Sequence, residues 1–198
     1  MTIVLIVEGE TEAAVRPVLK AFLDERCEAE GKPKVRLDPK RLRAMRNETK
    51  LRAVARDALK DSDVCCLVGL VDVYPDFADA SDAKRHLRSG LPEDPRCHAH
   101  AAQYEFEAWL LPFWDDICRN LRLQAQRPGG DPEEVDLTKP PSHRLKELYR
   151  KAGFDYHKPR DALAILSRNK LGVAAHQCPE LKALLETLLK CAGLPPTL

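Results

Sequence analysis

The 198-residue sequence has almost no net charge, because 32 Lys and Arg residues oppose 31 Asp and Glu residues and leave +1 at pH 7. The total charge therefore does not indicate a polyanionic partner, and a nucleic-acid surface would need local clustering of basic residues. The sequence also lacks an apolar run of transmembrane length, and its first apolar run is too short and lacks the basic flank of a signal peptide. We expect a cytoplasmic protein without a membrane partner.

Two further absences concern cysteine and phosphate chemistry. The seven cysteines are odd in number and irregularly spaced, and no two form a Cys-x-x-Cys pair. This pattern indicates neither an extracellular disulfide framework nor a common structural zinc site, and a reducing compartment fits it best. The adjacent Cys65 and Cys66 are expected to pack as small core residues. The phosphate-binding loop Gly-x-x-x-x-Gly-Lys-Ser/Thr is also missing, so the sequence does not indicate a P-loop ATPase.

What the sequence does contain is a pair of apolar runs that each end in an acid. Thr2–Val7 is followed at once by Glu8, and residues 64–71 are followed by Asp72. Apolar runs of this length without alternation are typical of strands buried on both faces of a parallel sheet. Helical sequence separates the two runs, which predicts right-handed crossovers and an α/β fold. If the two strands are neighbours, Glu8 and Asp72 meet at one sheet edge, where ligands collect in such folds.

Other patterns complete the expected organisation. The predicted α/β core covers residues 1–115, with helices at 11–30, 44–59 and 82–88 and further strands at 34–38 and 97–103. A helical C-terminal appendage is expected over residues 116–198, with a loop at 124–141 and helices at 142–152, 161–166 and 179–191. The two parts could also form one compact domain.

A set of acids is expected to converge on the predicted sheet edge: Glu8, Glu12, Asp72, Asp76, Glu105 and Glu107. Oxygen-rich clusters of this kind bind Mg²⁺ or Mn²⁺, which accept few carboxylates and keep positions for water and phosphate. The usual chemistry of such sites is phosphodiester cleavage or transfer. The competing interpretation is that these acids cap helices and form turns, as acids near helix starts often do.

These motifs carry a family resemblance. The apolar strand ending in Glu-Gly-x-Thr-Glu, the second strand ending in an acid, and the later Tyr-Glu-Phe-Glu-Ala-x-Leu-Leu resemble the TOPRIM fold. They resemble more closely the TOPRIM-like proteins of unknown function that are related to OLD nucleases. The similarity continues through Pro141-Ser142-His143-Arg144-Leu145, Tyr156-His157-Lys158 and Cys178-Pro179-Glu180-Leu181.

The resemblance implies a TOPRIM-like, mainly parallel four-stranded sheet flanked by helices. It implies that Glu8 is a metal ligand or an acid-base group and that Asp72 is the first acid of an Asp-x-Asp motif, which makes both catalytic candidates. Tyr74 replaces the second acid of that motif, and Asp76 could substitute for it if the loop folds back. Glu12 is implied as a further metal ligand.

Glu105 and Glu107 match positions of the family motif. Glu105 is preferred to Glu107 as a metal ligand because it lies nearer the predicted strand end. The function implied by the resemblance is a Mg²⁺- or Mn²⁺-dependent nuclease that cleaves DNA or RNA. A role as an effector in phage defence, together with a separately encoded ABC- or AAA-type ATPase, rests on the same resemblance.

Basic residues are concentrated between positions 32 and 60, where Arg43, Arg46 and Lys50 are candidates for contacts with nucleic-acid phosphates. A solvated helix face is the competing interpretation. Arg144 and Lys158, in the C-terminal motifs, could contact phosphate or could pair with acids.

Two alternatives remain open. Cys97-His98-Ala99-His100 invites a metal interpretation, but strand alternation places the two histidines on one face, and polar strand residues without a metal are favoured. The replacement of an acid by Tyr74 favours a different class of protein, a non-catalytic module that senses a ligand or binds an ATPase partner.

Overall fold

The computed structural model describes residues 1–43, 45–134 and 139–198, with the side chain of Glu12 excepted. Within this part of the chain, four strands form one sheet in the order β2-β1-β3-β4, and all neighbouring pairs are parallel. The strands are β1 (Thr2–Val7), β2 (Arg36–Arg41), β3 (Val64–Asp72) and β4 (Cys97–Ala102). The predicted α/β class and the parallel four-stranded sheet are therefore confirmed.

Helices occupy both faces of this sheet. They are α1 (Glu10–Ala14), α2 (Arg16–Ala29), α3 (Glu48–Ala58), α4 (Ala80–Gly90), a 3-10 helix (Phe106–Phe113), α5 (Trp114–Leu121), α6 (Pro141–Lys151), α7 (Lys158–Arg168), α8 (Leu171–Ala175) and α9 (Pro179–Cys191). No helix among the described residues is both long and apolar enough to cross a membrane.

The single helix predicted for residues 11–30 is divided in two. Helix α1 ends before Val15, and α2 begins at Arg16 with Pro17 in its first turn. Proline has no N–H to donate to the preceding turn, but it fits the first turn of a new helix, where that donor is not needed. The break therefore separates the short helix next to Glu8 from the longer helix that packs on the sheet.

Strand β2 lies later in the chain than the predicted 34–38 and includes Pro39. The N–H groups of Arg36 and Leu42 donate towards β1, to the carbonyls of Met1 and Val7. By alternation, Leu37 and Pro39 direct their backbone polar groups to the outer side of this edge strand. Proline is tolerated there because no ladder hydrogen bond is lost. On the same outer side, Arg16 Nε donates to the Leu37 carbonyl at 2.9 Å.

Side-chain caps set the starts of the two helices on one face of the sheet. Helix α3 begins at Glu48, not at residue 44, because the Asn47 side chain accepts the N–H of Lys50 at 3.0 Å. Helix α4 is capped in the same way by Asp79. The predicted start at Ala44 lies outside the described residues.

The core consists of two apolar layers, one on each face of the sheet. Val4 and Ile6 of β1 face the layer formed with α3 and α4. Ile3 and Leu5 face the other layer, which contains α2, the 3-10 helix and the helices of the C-terminal region. This second layer crosses the predicted boundary between residues 115 and 116, so the C-terminal helices pack directly on the sheet.

Cys66 packs fully buried in the core, as expected, but it is not a free thiol. It forms a disulfide with Cys191 at the end of α9, 125 residues later in the chain. Its neighbour Cys65 is half-buried, and the Cys65 thiol lies 3.3 Å from the carbonyl oxygen of Thr2. The bond fixes the end of α9 to the sheet.

Candidate functional site

The two predicted catalytic acids lie at the same edge of the sheet. Strands β1 and β3 are parallel neighbours with Val7 opposite Leu70, so Glu8 follows at the level of Val71 and Asp72 lies one position further on. The carboxyl ends of parallel strands are the usual ligand-binding edge of an open α/β sheet. The fold thus places both acids where the sequence predicted them, and this carboxyl edge is the candidate site.

Glu8 is half-buried and is surrounded by groups that act on its charge. The pKa of its carboxyl group is raised, first because burial removes water from the charged form and further because Asp76 lies nearby. A hydrogen bond from the Met45 backbone and the positive charge of Arg46 act in the opposite direction. Met45 and Arg46 therefore lie near Glu8 and partly offset the cost of burying this acid.

Asp72 and Asp76 have different partners. Asp72 Oδ1 accepts the backbone N–H of Phe106 at 2.8 Å, which ties the end of β3 to the start of the 3-10 helix. Asp76 folds back in a turn, with its N–H 3.0 Å from the carbonyl of Val73, and its Oδ1 lies 2.6 Å from Arg46 Nη1. The turn after β3 thus brings Asp76 close enough to raise the pKa of Glu8. Such proximity is needed if Asp76 is to take the place of the missing second acid.

Tyr74 presents an aromatic ring at the position where the Asp-x-Asp motif would have its second acid. The ring is 44% exposed and stacks on the buried Tyr104, with centroids 5.7 Å apart and planes within 4°. The backbones of the two residues are also joined, because the N–H of Tyr74 donates to the Tyr104 carbonyl at 2.7 Å. Tyr104 has a positive φ of 76°, which turns the chain sharply between β4 and the 3-10 helix.

Glu105 is buried and is held by donors from the C-terminal region. Its Oε2 accepts the Ser142 N–H at 2.9 Å, and its Oε1 accepts the Ser142 hydroxyl at 3.0 Å. Lys158 Nζ lies 3.4 Å from the same Oε1. Both oxygens of Glu105 therefore contact protein donors, and its role as a metal ligand stays a prediction.

Glu107 and Lys158 form a second contact in this cluster, at 3.2 Å between Oε2 and Nζ. Burial raises the pKa of Glu107, and the opposing effect of Lys158 is smaller. Burial would lower the pKa of Lys158, but Glu107, Glu105 and Asp72 together raise it above its ordinary value. Lys158 thus stays charged between two buried acids and within electrostatic reach of Asp72.

The sequence predicts a hard divalent cation at the carboxyl edge. Among the described side chains, its carboxylates do not form a group of three with oxygens within 4.8 Å of one another. Mg²⁺ usually retains several waters and is held by one or two carboxylates plus substrate phosphate, and metal binding by Glu8 and Asp72 stays a prediction. The prediction for Glu12 concerns a side chain that lies outside the described residues.

The five predicted phosphate-binding residues are not equivalent. Arg46 and Lys158 lie at the carboxyl edge, where they contact Asp76 and the buried glutamates. Arg43 and Lys50 are exposed. Arg144 is half-buried, and its Nε donates to the Lys139 carbonyl at 3.2 Å. Binding of nucleic acid by any of the five stays a prediction.

Two contributions to the site were missed by sequence reasoning. Ser142 belongs to a motif noted in the sequence, but a serine at a helix start usually serves as a cap, so nothing indicated its contact with Glu105. Met45 was missed because it contributes its backbone N–H, a group that almost every residue type has. For Lys158, the alternative of pairing with acids was considered, and its two contacts with Glu105 and Glu107 support that alternative.

Comparisons with known proteins are consistent with this fold. The solved structure of the C-terminal region of the Burkholderia pseudomallei OLD protein is similar, with a TM-score of 0.53 and 16% sequence identity over 96% of this chain and 98% of that chain. At this identity the similarity shows the fold alone. No curated protein sequence matches the chain. A family model described as "Domain of unknown function (DUF4276)" matches residues 7–189, and the chain therefore belongs to the DUF4276 family.

Proposed function

We propose that the protein is a Mg²⁺- or Mn²⁺-dependent nuclease that hydrolyses phosphodiester bonds of DNA or RNA. The observation that carries the proposal is the placement of Glu8 and Asp72 at the ends of two adjacent parallel strands. The pKa of Glu8 is raised, mainly by burial, and perturbed pKa values of this kind are typical of functional sites. The resemblance of the sequence motifs to OLD nucleases points to the same chemistry.

Each residue of the carboxyl edge has a distinct part in this proposal. Glu8 and Asp72 would hold the cation, and Asp72 is kept in position by the N–H of Phe106. A bound Mg²⁺ or Mn²⁺ would polarise the phosphate and lower the pKa of a bound water. Lys158 and Arg46 would offer positive charge to the phosphate backbone, since both lie next to the acids that face this edge.

The biological setting is proposed on the motif resemblance and on the structural similarity to the C-terminal region of an OLD protein. The protein would act as an effector in phage defence. A separately encoded ABC- or AAA-type ATPase would be its partner, on the same resemblance to OLD nucleases.

Cleavage of supercoiled plasmid DNA and of RNA, with Mn²⁺ or Mg²⁺, tests the proposal. We expect Glu8→Gln and Asp72→Asn each to reduce the cleavage rate at least about 100-fold, since a lost acid-base group alone typically costs that much. Glu10→Gln is the matched control. Glu10 lies in the same turn but is exposed and pairs at the surface with Arg41 at 2.7 Å, so its removal should leave the rate unchanged.

Three results would contradict the proposal. Activity that persists in both Glu8→Gln and Asp72→Asn would show that the carboxyl edge is not the catalytic site. Activity that survives chelation of divalent ions would exclude a metal requirement. Absence of cleavage with either cation, with and without a candidate ATPase, would exclude a nuclease.

The exposed Tyr74 ring favours a second candidate function, a non-catalytic module that binds a ligand or an ATPase. An aromatic ring stacked on Tyr104 occupies the place of the second acid, and a ring cannot hold a hard cation. Calorimetric titration with Mn²⁺ separates the two functions. A nuclease should bind Mn²⁺ and lose that binding on Asp72→Asn, whereas the module should bind no Mn²⁺ at this edge.

A further inference from the structure

A second group of metal-ligating side chains lies far from the carboxyl edge. Cys66 Sγ, Cys191 Sγ and a ring nitrogen of His98 all lie within 4.8 Å of one another, and no other group of three potential ligands is this close in the described part of the chain. We propose that these three side chains bind Zn²⁺ when the bond between Cys66 and Cys191 is reduced. The proposal is independent of the nuclease function.

The fold brings the three residues together through strand alternation and one helix. On β3 and β4, Val68 pairs with His98, so Cys66 and His98 lie two positions apart on one face of the sheet. Helix α9 covers that face, as the 3.0 Å contact between His100 and Thr187 shows. The helix ends at Cys191, directly over Cys66. These contacts place all three ligands between one helix end and the sheet.

The donor set selects the kind of metal. Two thiolates and one imidazole suit Zn²⁺, whereas Mg²⁺ and Mn²⁺ prefer carboxylates. The imidazole of His98 donates a ring-nitrogen lone pair to a metal in its neutral form. Cys66 is fully buried, but His98 and Cys191 are half-buried and reach solvent, so a water would be the fourth ligand.

The chemistry requires a reductant, and a dithiol supplies it. Two thiol groups of the dithiol give two electrons and two protons to the Cys66–Cys191 bond, which becomes two thiols while the dithiol closes to a cyclic disulfide. Zn²⁺ then binds both sulfurs as thiolates, and two protons are released to solvent. The disulfide and the metal are thus alternative cross-links between α9 and β3.

This site and the carboxyl edge can be tested separately. Cys66 precedes Asp72 by six residues of extended strand, a separation of about 20 Å at roughly 3.3 Å per residue. The two sites also differ in ligand type. The proposed zinc site offers thiolates and an imidazole, whereas the carboxyl edge offers carboxylates. Loss of the proposed nuclease activity therefore does not affect the zinc proposal.

The experiment uses the full chain. The protein is reduced with dithiothreitol, which is then removed under anaerobic conditions. Titration with Co²⁺ should give a thiolate-to-metal charge-transfer band that saturates at one equivalent at this site, and Zn²⁺ should abolish the band. Cys191→Ser and His98→Ala should each weaken binding at least about 100-fold. Loss of a residue that only hydrogen-bonds to a metal ligand already costs about 10- to 100-fold, and loss of the ligand itself should cost more. Cys97→Ser is the matched control, since Cys97 packs into the apolar layer on the opposite face of the sheet.

A second measurement avoids dependence on the folding of the variants. In reduced wild-type protein, Zn²⁺ should protect Cys66 and Cys191 from alkylation, as read by mass spectrometry of peptides. Glu10→Gln, at an exposed residue outside both sites, should leave the thiolate-to-Co²⁺ band unchanged. The proposal is overturned if reduced protein binds no Co²⁺ and Zn²⁺ gives no protection, or if Cys97→Ser weakens binding as much as Cys191→Ser.

Discussion

The carboxyl edge contains two kinds of glutamate that differ in what surrounds them. Glu8 is half-buried and is approached by Met45 and Arg46, with a pKa raised mainly by burial. Glu105 is buried, and both of its oxygens accept hydrogen bonds from Ser142. The difference indicates that Glu105 holds the C-terminal helices against the sheet, whereas the catalytic role proposed for Glu8 requires no such structural contact. Residue type alone does not distinguish these roles.

The largest expected effect is a difference in folding stability between variants of Glu105 and Glu8. Glu105→Ala removes the acceptor for the Ser142 N–H and hydroxyl, and we expect the free energy of unfolding to fall by about 3 kcal/mol. Glu8→Gln should leave it within about 0.5 kcal/mol, because a half-buried acid with a raised pKa gains little from its charge. Urea denaturation followed by circular dichroism measures both. Equal losses in the two variants would remove the distinction.

A smaller loss of stability is expected when Lys158, whose ammonium group contacts both Glu105 and Glu107, is replaced. Lys158→Met leaves Glu105 and Glu107 buried without their positive partner, and we expect a loss of about 2 kcal/mol. This is below the usual cost of breaking a buried pair, because Lys158 is 36% exposed and water screens part of its charge. Lys146→Met, on the exposed side of α6, is the control for the same urea measurement and should change stability little. A loss no larger than that of the control would show that Lys158 does not stabilise the acids.

The smallest effect concerns the pH dependence of stability. Glu107 has a pKa raised by burial, so the folded state binds its proton more tightly than the unfolded state does. Its contribution to stability is therefore fully present below the unfolded pKa and is lost as pH rises through the folded pKa. Glu107→Gln should be more stable relative to the wild type at pH 8 than at pH 4. Parallel curves of unfolding free energy against pH for the two proteins would contradict the expected shift.

Much of the fold could be predicted because its signals are local. The apolar runs before Glu8 and Asp72 identified two neighbouring strands, and their separation by helical sequence predicted parallel pairing. Strand β2 was displaced in the prediction because it is short and charged and contains Pro39, which only an edge strand tolerates. The division at Val15 is explained by Pro17, which fits the first turn of a new helix but not the interior of a longer one.

The candidate site was less predictable because its contacts are distant in sequence. Ser142 reaches Glu105 across 37 residues, and Lys158 reaches it across 53. Cys66 pairs with Cys191 across 125 residues. Spacing patterns carry no information about contacts of this range, and which acid has a protein partner is decided only by how the C-terminal helices pack on the sheet.

The outer side of β2 has a consequence for how molecules of this protein can associate. An edge strand normally offers a row of free backbone donors and acceptors to which a strand of another molecule can pair. Here Pro39 provides no N–H on that side, and the Leu37 carbonyl already accepts a hydrogen bond from Arg16. Two successive outer positions are therefore unable to form a regular ladder. The sheet is protected at this edge against growth by strand addition, and hence against one common route to aggregation.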